Sequence, residues 1–157
     1  MDGDACPVRE EVFRVAFRLS LPVVVVSNGA RGVRLPDSPL VRRIVVEAGA
    51  DAADDAIADA IAANDVCVTA DIPLAARCLA RGARAVSPRG HAWTEANIGG
   101  ALAGREVARH LRETGHETRH AGMAAADRAR FLVALDAAIG ASARPAAPAF
   151  RVPPGGF

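Results

Sequence analysis

The sequence predicts an α/β domain built on a mostly parallel sheet with helices on both faces. Two observations carry this. Short apolar runs, "LPVVVVSNG", "RIVVEAG", "DVCVTAD" and "ARAVSP", read as buried strands. Between them stand stretches whose apolar residues keep helical spacing, and strands alternating with helices imply a covered parallel sheet. At 157 residues the chain is long enough for one domain with its own core.

Each element has a local reason. Val8, Val12, Val15, Ala16 and Leu19 fall on one helical face, and Pro7 suits a first helical turn. "LPVVVVSNG" is the first visible strand, and 29–41, "GARGVRLPDSPLV", is a loop. "RIVVEAG" is the second strand. A helix after "DAADD" is marked by Ile57 and Ile61. "DVCVTAD" is the third strand, "IPLAARCLARG" a helix closing at Gly82, and "ARAVSP" the fourth strand. Thr94 can cap a helix reaching about Thr114, with Gly115 as its stop. A last helix carries Phe131, Leu132, Leu135 and Ile139. The domain is expected to span 1–140, and 141–157, rich in Ala, Pro and Gly, reads as a disordered tail.

Composition excludes several classes. Hydrophobic residues make up 51% of the chain, which marks it as globular rather than disordered. No apolar run approaches the roughly 20 residues of a membrane span, and no basic-then-apolar signal segment opens the sequence. Cys6, Cys67 and Cys78 are odd in number and have no zinc-ligand spacing, so a reduced, cytoplasmic protein is expected. Net charge is +1, but residues 1–76 hold seven arginines against twelve acids, and 77–157 hold twelve arginines against six acids. There is no lysine, so any mechanism that needs one is excluded.

Three acidic groups stand at comparable places. Asp2 and Asp4 precede the first helix; Asp51, Asp54 and Asp55 follow the second strand and open a helix; Asp71 follows "VCVTA" and opens another. In open parallel sheets, ligands bind outside the carboxyl ends of the strands, so distant segments would aim carboxylates at one crevice. Several hard oxygen ligands suit Mg²⁺ or Mn²⁺, which offset their mutual repulsion and can activate water or stabilise a phosphoryl transition state. Each group taken singly reads as a helix cap or dipole partner. Asp51 with Asp54 resembles a capping arrangement, whereas Pro73 already suits the helix that Asp71 opens.

"DGDACPVREEVFRVAFR", "DSPLVRRIVVEAGADAADDAIA", "DVCVTADIPLAARCLARGARAVSPRG", "WTEANIG" and "DRARFLVAL" together resemble the YaiI/YqxD family of uncharacterised bacterial proteins, from Asp2 to about Ile139. That family is similar in turn to PIN-like nuclease domains. The resemblance implies a three-layer α/β/α fold. It also implies three metal-binding acidic positions: Asp2, with Asp4 beside it; Asp54 or Asp55; and Asp71. Members carry a short apolar strand just before the first Asp, central in a PIN-like sheet. Here only Met1 stands before it, so that first central strand is expected to be missing or truncated, and a start upstream of Met1 is favoured. A second departure is "TRHAGMAAADR", where members have a glycine-containing segment before the "DR" pair.

Other residues carry weaker signals. Arg89 in "SPRG" follows a strand and is a candidate phosphate clamp. Asn97 either caps or lines the site, and Arg128 either pairs with Asp127 or points inward; all three are candidates for substrate binding. Arg105, Arg109 and Arg112 share a helical face that reads as solvated rather than phosphate-binding. Trp93 reads as packing rather than base stacking, Cys6 as a small buried residue or helix cap, and His91 and His110 lack a partner pattern for nucleophilic catalysis.

Three functions remain open at this stage. The first is a divalent-metal-dependent nuclease acting on RNA or other nucleic acid, with catalytic Asp2, Asp4 and Asp71, and metal held by Asp2, Asp54, Asp55 and Asp71. The second is a phosphatase of the haloacid-dehalogenase type, in which "DGD" imitates the nucleophile and general acid of a D-x-D motif. That reading lacks the usual lysine, and "ACPV" is wrong for its loop. The third is a non-catalytic binding or regulatory module.

Overall fold

The structure is a computed structural model that describes Met1, Gly3, residues 6–29, 34–47, Gly49, 51–113 and 123–142. Helix α1 (Arg9–Arg18) follows Pro7, carries Glu10 and Glu11 in its first turn and Arg18 in its last, and buries Val12, Phe13, Val15 and Ala16. Strand β1 (Val23–Ser27) pairs in parallel with β2 (Val41–Val45), Val23 opposite Val41. β2 begins two residues before the predicted strand. Val41 N–H is taken by Ser38 C=O, and Leu40 C=O accepts from Val23 N–H, so the ladder starts within the expected loop.

Helix α2 (Ala52–Ala60) leads to β3 (Val66–Val68) and α3 (Ile72–Ala80). Asp71 caps α3: its Oδ1 accepts from Leu74 N–H at 2.9 Å, and Pro73 adds a residue pre-set for a first turn. The helix ends as the sequence predicts. Gly82 sits at φ +79°, Ala83 N–H returns to Cys78 C=O and Gly82 N–H to Leu79 C=O, so the last carbonyls are satisfied by a left-handed turn that favours glycine.

β3 pairs in parallel with β4 (Arg84–Val86), and β4 pairs antiparallel with β5 (Ala92–Trp93). β5 was not foreseen, since two residues carry no periodicity to read. Helix α4 (Glu95–Glu113) begins where predicted, with Thr94 and Asn97 exchanging side-chain to backbone hydrogen bonds at 3.3 and 2.8 Å. Gly115, its predicted stop, lies outside the described residues. Helix α5 (Ala125–Ala141) closes the described chain; of the predicted tail, the residues from 143 onward lie outside that description.

The expectation of one sheet needs correction: the described strands form two, β1-β2 and β3-β4-β5, with one antiparallel pair. Their side chains nevertheless fall into two shared apolar clusters. Val23, Val25, Val68 and Val86 pack with Val12, Phe13 and Val15 of α1 and Phe131 and Leu135 of α5. Val26, Ile44 and Cys67 pack with Ile57 and Ala58 of α2 and Leu74 and Cys78 of α3. Successive strand residues point to opposite faces, so each sheet feeds one cluster from each face.

Candidate functional site

The carboxyl ends of β1, β3 and β4 are joined at one end of the molecule by a chain of contacts. Gly3 N–H donates to Val26 C=O at 2.7 Å, beside the end of β1. Gly3 has no room for a side chain, because a Cβ there would lie 2.7 Å from Val25 Cγ1. Its carbonyl accepts from Arg9 Nη1 at 3.3 Å. Arg128 Nη1 donates to Pro7 C=O at 3.0 Å and to Glu11 Oε1 at 3.1 Å, tying α5 to the start of α1. Next to it, Asp127 Oδ2 accepts from Ala124 N–H at 3.0 Å and from Arg89 Nη1 at 3.3 Å, and Oδ1 accepts from Arg130. Arg89 belongs to the turn after β4, where Gly90 N–H meets Ser87 C=O and Ser87 Oγ accepts from His91 N–H. Thr69 N–H donates to Val86 C=O, and Thr69 Oγ1 accepts from Asp71 N–H at 3.0 Å, which completes the path to α3.

Buried hydroxyls mark these strand ends: Ser27, Thr69 and Ser87 are all below a tenth exposed. The Asp127 carboxyl is held below the usual carboxylate range, first by the Ala124 N–H it accepts from and then by the Arg130 and Arg89 guanidiniums. Glu11 is buried, and its Oε2 has no hydrogen-bond partner among the described residues.

The predicted site residues divide. Asp71 stands at the carboxyl end of β3, where it caps α3. Asp55 is half exposed and ion-paired with Arg77 Nη1 at 2.7 Å, which raises the pKa of that guanidinium. Arg77 lies six residues along α3 from Asp71, a rise of about 9 Å, so Asp55 is directed to the middle of α3 rather than to its start. Asp54 stands beside it, half-buried in the first turn of α2. Asp2 and Asp4 lie outside the described residues, as do residues 118–122 of "TRHAGMAAADR".

Arg89 reaches the strand-end turn, but Asp127 engages it. Asn97 caps α4, and its Nδ2 donates to Ala92 C=O at 3.0 Å. Arg128 does not pair with its neighbour Asp127; it spans to α1. Arg105 and Arg109 are exposed, with Arg109 paired to Glu106. Trp93 packs against the His91 ring, centroids 4.2 Å apart. Among the described residues no group of three or more His, Cys, Asp or Glu is arranged to hold a metal.

Sequence reasoning missed Asp127 and Glu11. Asp127 stands three residues into α5 behind Ala124, which offers no side-chain oxygen to announce a helix start, so only the "DR" pair hinted at it. Glu11 reads as an ordinary first-turn acid of α1.

The fold and this site define a mixed α/β protein with its polar groups gathered at strand ends. The chain belongs to the uncharacterised YaiI/YqxD family, whose profile matches residues 1–141. It is 52% identical over 140 residues to a UPF0178 protein of Gluconacetobacter diazotrophicus, covering 88% of this chain and 90% of that one. It is also 52% identical over 145 residues to a UPF0178 protein of Rhodospirillum rubrum, covering 92% and 96%. A UPF0178 protein of Paramagnetospirillum magneticum is 51% identical over 137 residues, with 87% and 89% covered. No solved structure gives a significant match. Among the described residues no helix is long and apolar enough to cross a membrane.

Proposed function

We propose that this protein is a divalent-metal-dependent nuclease with a three-layer, PIN-like arrangement, hydrolysing phosphodiester bonds in RNA or structured nucleic acid. One observation carries the reading. The two chain neighbours of Asp2, Met1 and Gly3, are hydrogen-bonded to β1, and the contacts running from Gly3 through Arg128, Asp127 and Arg89 end at Asp71. Gly3 and Asp71, remote in sequence, thus lie beside strand carboxyl termini, where open α/β sheets take their ligands, and this supports the reading.

In this reading Asp2, Asp4 and Asp71 carry the reaction, and Asp54 or Asp55 completes the ligand set for Mg²⁺ or Mn²⁺. The ion supplies charge neutralisation at the phosphoryl group and activation of water. Asp71 keeps its backbone cap through one oxygen, Oδ1. Arg89 and Arg128 supply positive charge beside the crevice, and Arg89 reaches a phosphate by exchanging Asp127 for it.

The test is cleavage of varied RNA and DNA by the purified full chain with Mg²⁺ or Mn²⁺, together with Mn²⁺ calorimetry on wild type and Asp71→Asn. Asparagine caps a helix as well as aspartate. The expected result is therefore an intact fold with Mn²⁺ binding and cleavage lost. Absence of metal-dependent cleavage and of Mn²⁺ binding in the wild type would overturn the reading.

A further inference from the structure

The turn after β4 leads into an aromatic pair that stands outside both apolar clusters. His91 and Trp93 lie two residues apart at β5, with ring centroids 4.2 Å apart and planes tilted by 57°. His91 is exposed and Trp93 half-buried, so the imidazole is the outer ring and the indole its backing. The indole Nε1 is buried and donates to nothing among the described residues. The faces of that ring, rather than the hydrogen bond a buried tryptophan usually finds, therefore hold it in place.

The strand register sets this pair beside the candidate site. Val86 of β4 turns into the cluster of α1 and α5, so Ala85 turns to the opposite face, which α3 packs against. Trp93 stands opposite Ala85 and shares that face, and His91, two residues earlier, shares it too. His91 also closes the strand-end turn: its N–H donates to Ser87 Oγ at 3.0 Å, and its C=O accepts from Ser87 N–H at 2.8 Å. β3 lies next to β4 and leads into Asp71 at the start of α3. His91 and Asp71 thus stand at the ends of adjacent strands, on the side of α3.

The other side of the same turn is positive. Arg89 stands two residues before His91, and the backbone of Arg130 touches the turn at Gly90. Their side chains are 49% and 62% exposed, and two guanidiniums on the one Asp127 carboxylate leave positive charge there. A ligand with anionic groups on one side and a flat ring on the other matches both halves, and a nucleotide strand has that form. In a duplex each base is already stacked and paired, so a base that lies on a protein ring is an unpaired one.

We infer that His91, backed by Trp93, is a base-stacking subsite for an unpaired nucleotide, with Arg89 and Arg130 taking phosphates across the turn. The inference rests on the nuclease reading for its ligand and adds where one base is held. His91 is a binding residue here, and no proton transfer is assigned to it.

The chain has one tryptophan and no tyrosine, so its intrinsic emission reports on this pair. An unstructured RNA of about sixteen nucleotides is titrated into the full chain in EDTA, alone and annealed to its complement. Anisotropy of a labelled strand is read in parallel. The single strand should quench the emission to saturation, and the duplex should leave it nearly unchanged. His91→Ala should weaken single-strand binding on the order of tenfold, and His91→Phe should restore it. The turn survives both changes, because Ser87 bonds the backbone of His91 and not its ring. Unchanged emission with the strand bound, equal weakening by alanine and phenylalanine, equal affinity for duplex and single strand, or no binding of the single strand would each overturn the inference. Binding is read without metal, so its failure is distinct from that of the nuclease reading. A wild type that cleaves without quenching loses the subsite alone, and one that quenches without ever cleaving loses the reading alone.

Discussion

Asp127 accepts from Ala124 N–H, Arg130 and Arg89, and each donor favours its charged form. Its pKa is therefore lower folded than unfolded. The sign follows: the stability it contributes is fully present above the unfolded value of about 4 and is lost as pH falls through the depressed folded value. Asp127→Asn should lower Tm at pH 7, and the gap in Tm from wild type should shrink in melts below about pH 4. Gly90 is constrained differently. It sits at φ +87°, and a Cβ there would lie 2.5 Å from the Arg130 carbonyl carbon, where the strand-end turn meets α5 backbone. Gly90→Ala should cost about 1–3 kcal/mol, read by urea denaturation. Cys67 and Cys78 are both buried, and the Cys78 thiol is pushed up first by its hydrogen bond to Cys67 and then by burial. Neither should react with a thiol reagent at pH 8 until the protein is unfolded, which absorbance with and without denaturant will show.

At the scale of elements, Asp71 separates a cap from a charge. Asp71→Ala should cost about 1 kcal/mol in thermal or chemical denaturation, while Asp71→Asn should cost much less. The elements most legible in the sequence were those with terminal signals. α3 was bracketed by Asp71, Pro73 and Gly82, and α4 by Thr94, so their starts stand where side-chain chemistry sets them. The strands were legible as apolar runs, but their limits were not. β2 starts at Val41 because the register with β1 decides it, and β5 exists because Trp93 and Ala92 lie opposite Ala85 and Val86. Pairing partners distant in sequence are invisible to local periodicity.

For the whole molecule, the α/β class was readable from the alternation of runs and a break in the sheet from the expected loss of a first central strand, while the antiparallel β4–β5 pair was not, because its register is set only in the fold. The candidate site was readable only in outline. Asp71 stands at a strand end as expected, yet the residues that organise its surroundings bond far along the chain, Glu11 to Arg128 at a separation of 117 and Asp127 to Arg89 at 38. Phe131 binds these segments together. It is fully buried in α5 among residues of α1, β1, β3 and β4. Phe131→Ala should cost about 3–5 kcal/mol, or leave no cooperative transition in a calorimeter.

The α1–α5 contact also has a consequence for biosynthesis. Arg18 meets Asp136 at a separation of 118 residues, so the apolar side of α1 leaves the ribosome long before the helix that covers it. A nascent chain lacking α5 presents Phe13, Val15 and Val25 without their lid, and such surfaces recruit chaperones or aggregate. Ribosome-stalled chains ending before Ala125 should therefore be protease-sensitive throughout, and resistance should appear only once α5 has cleared the exit tunnel.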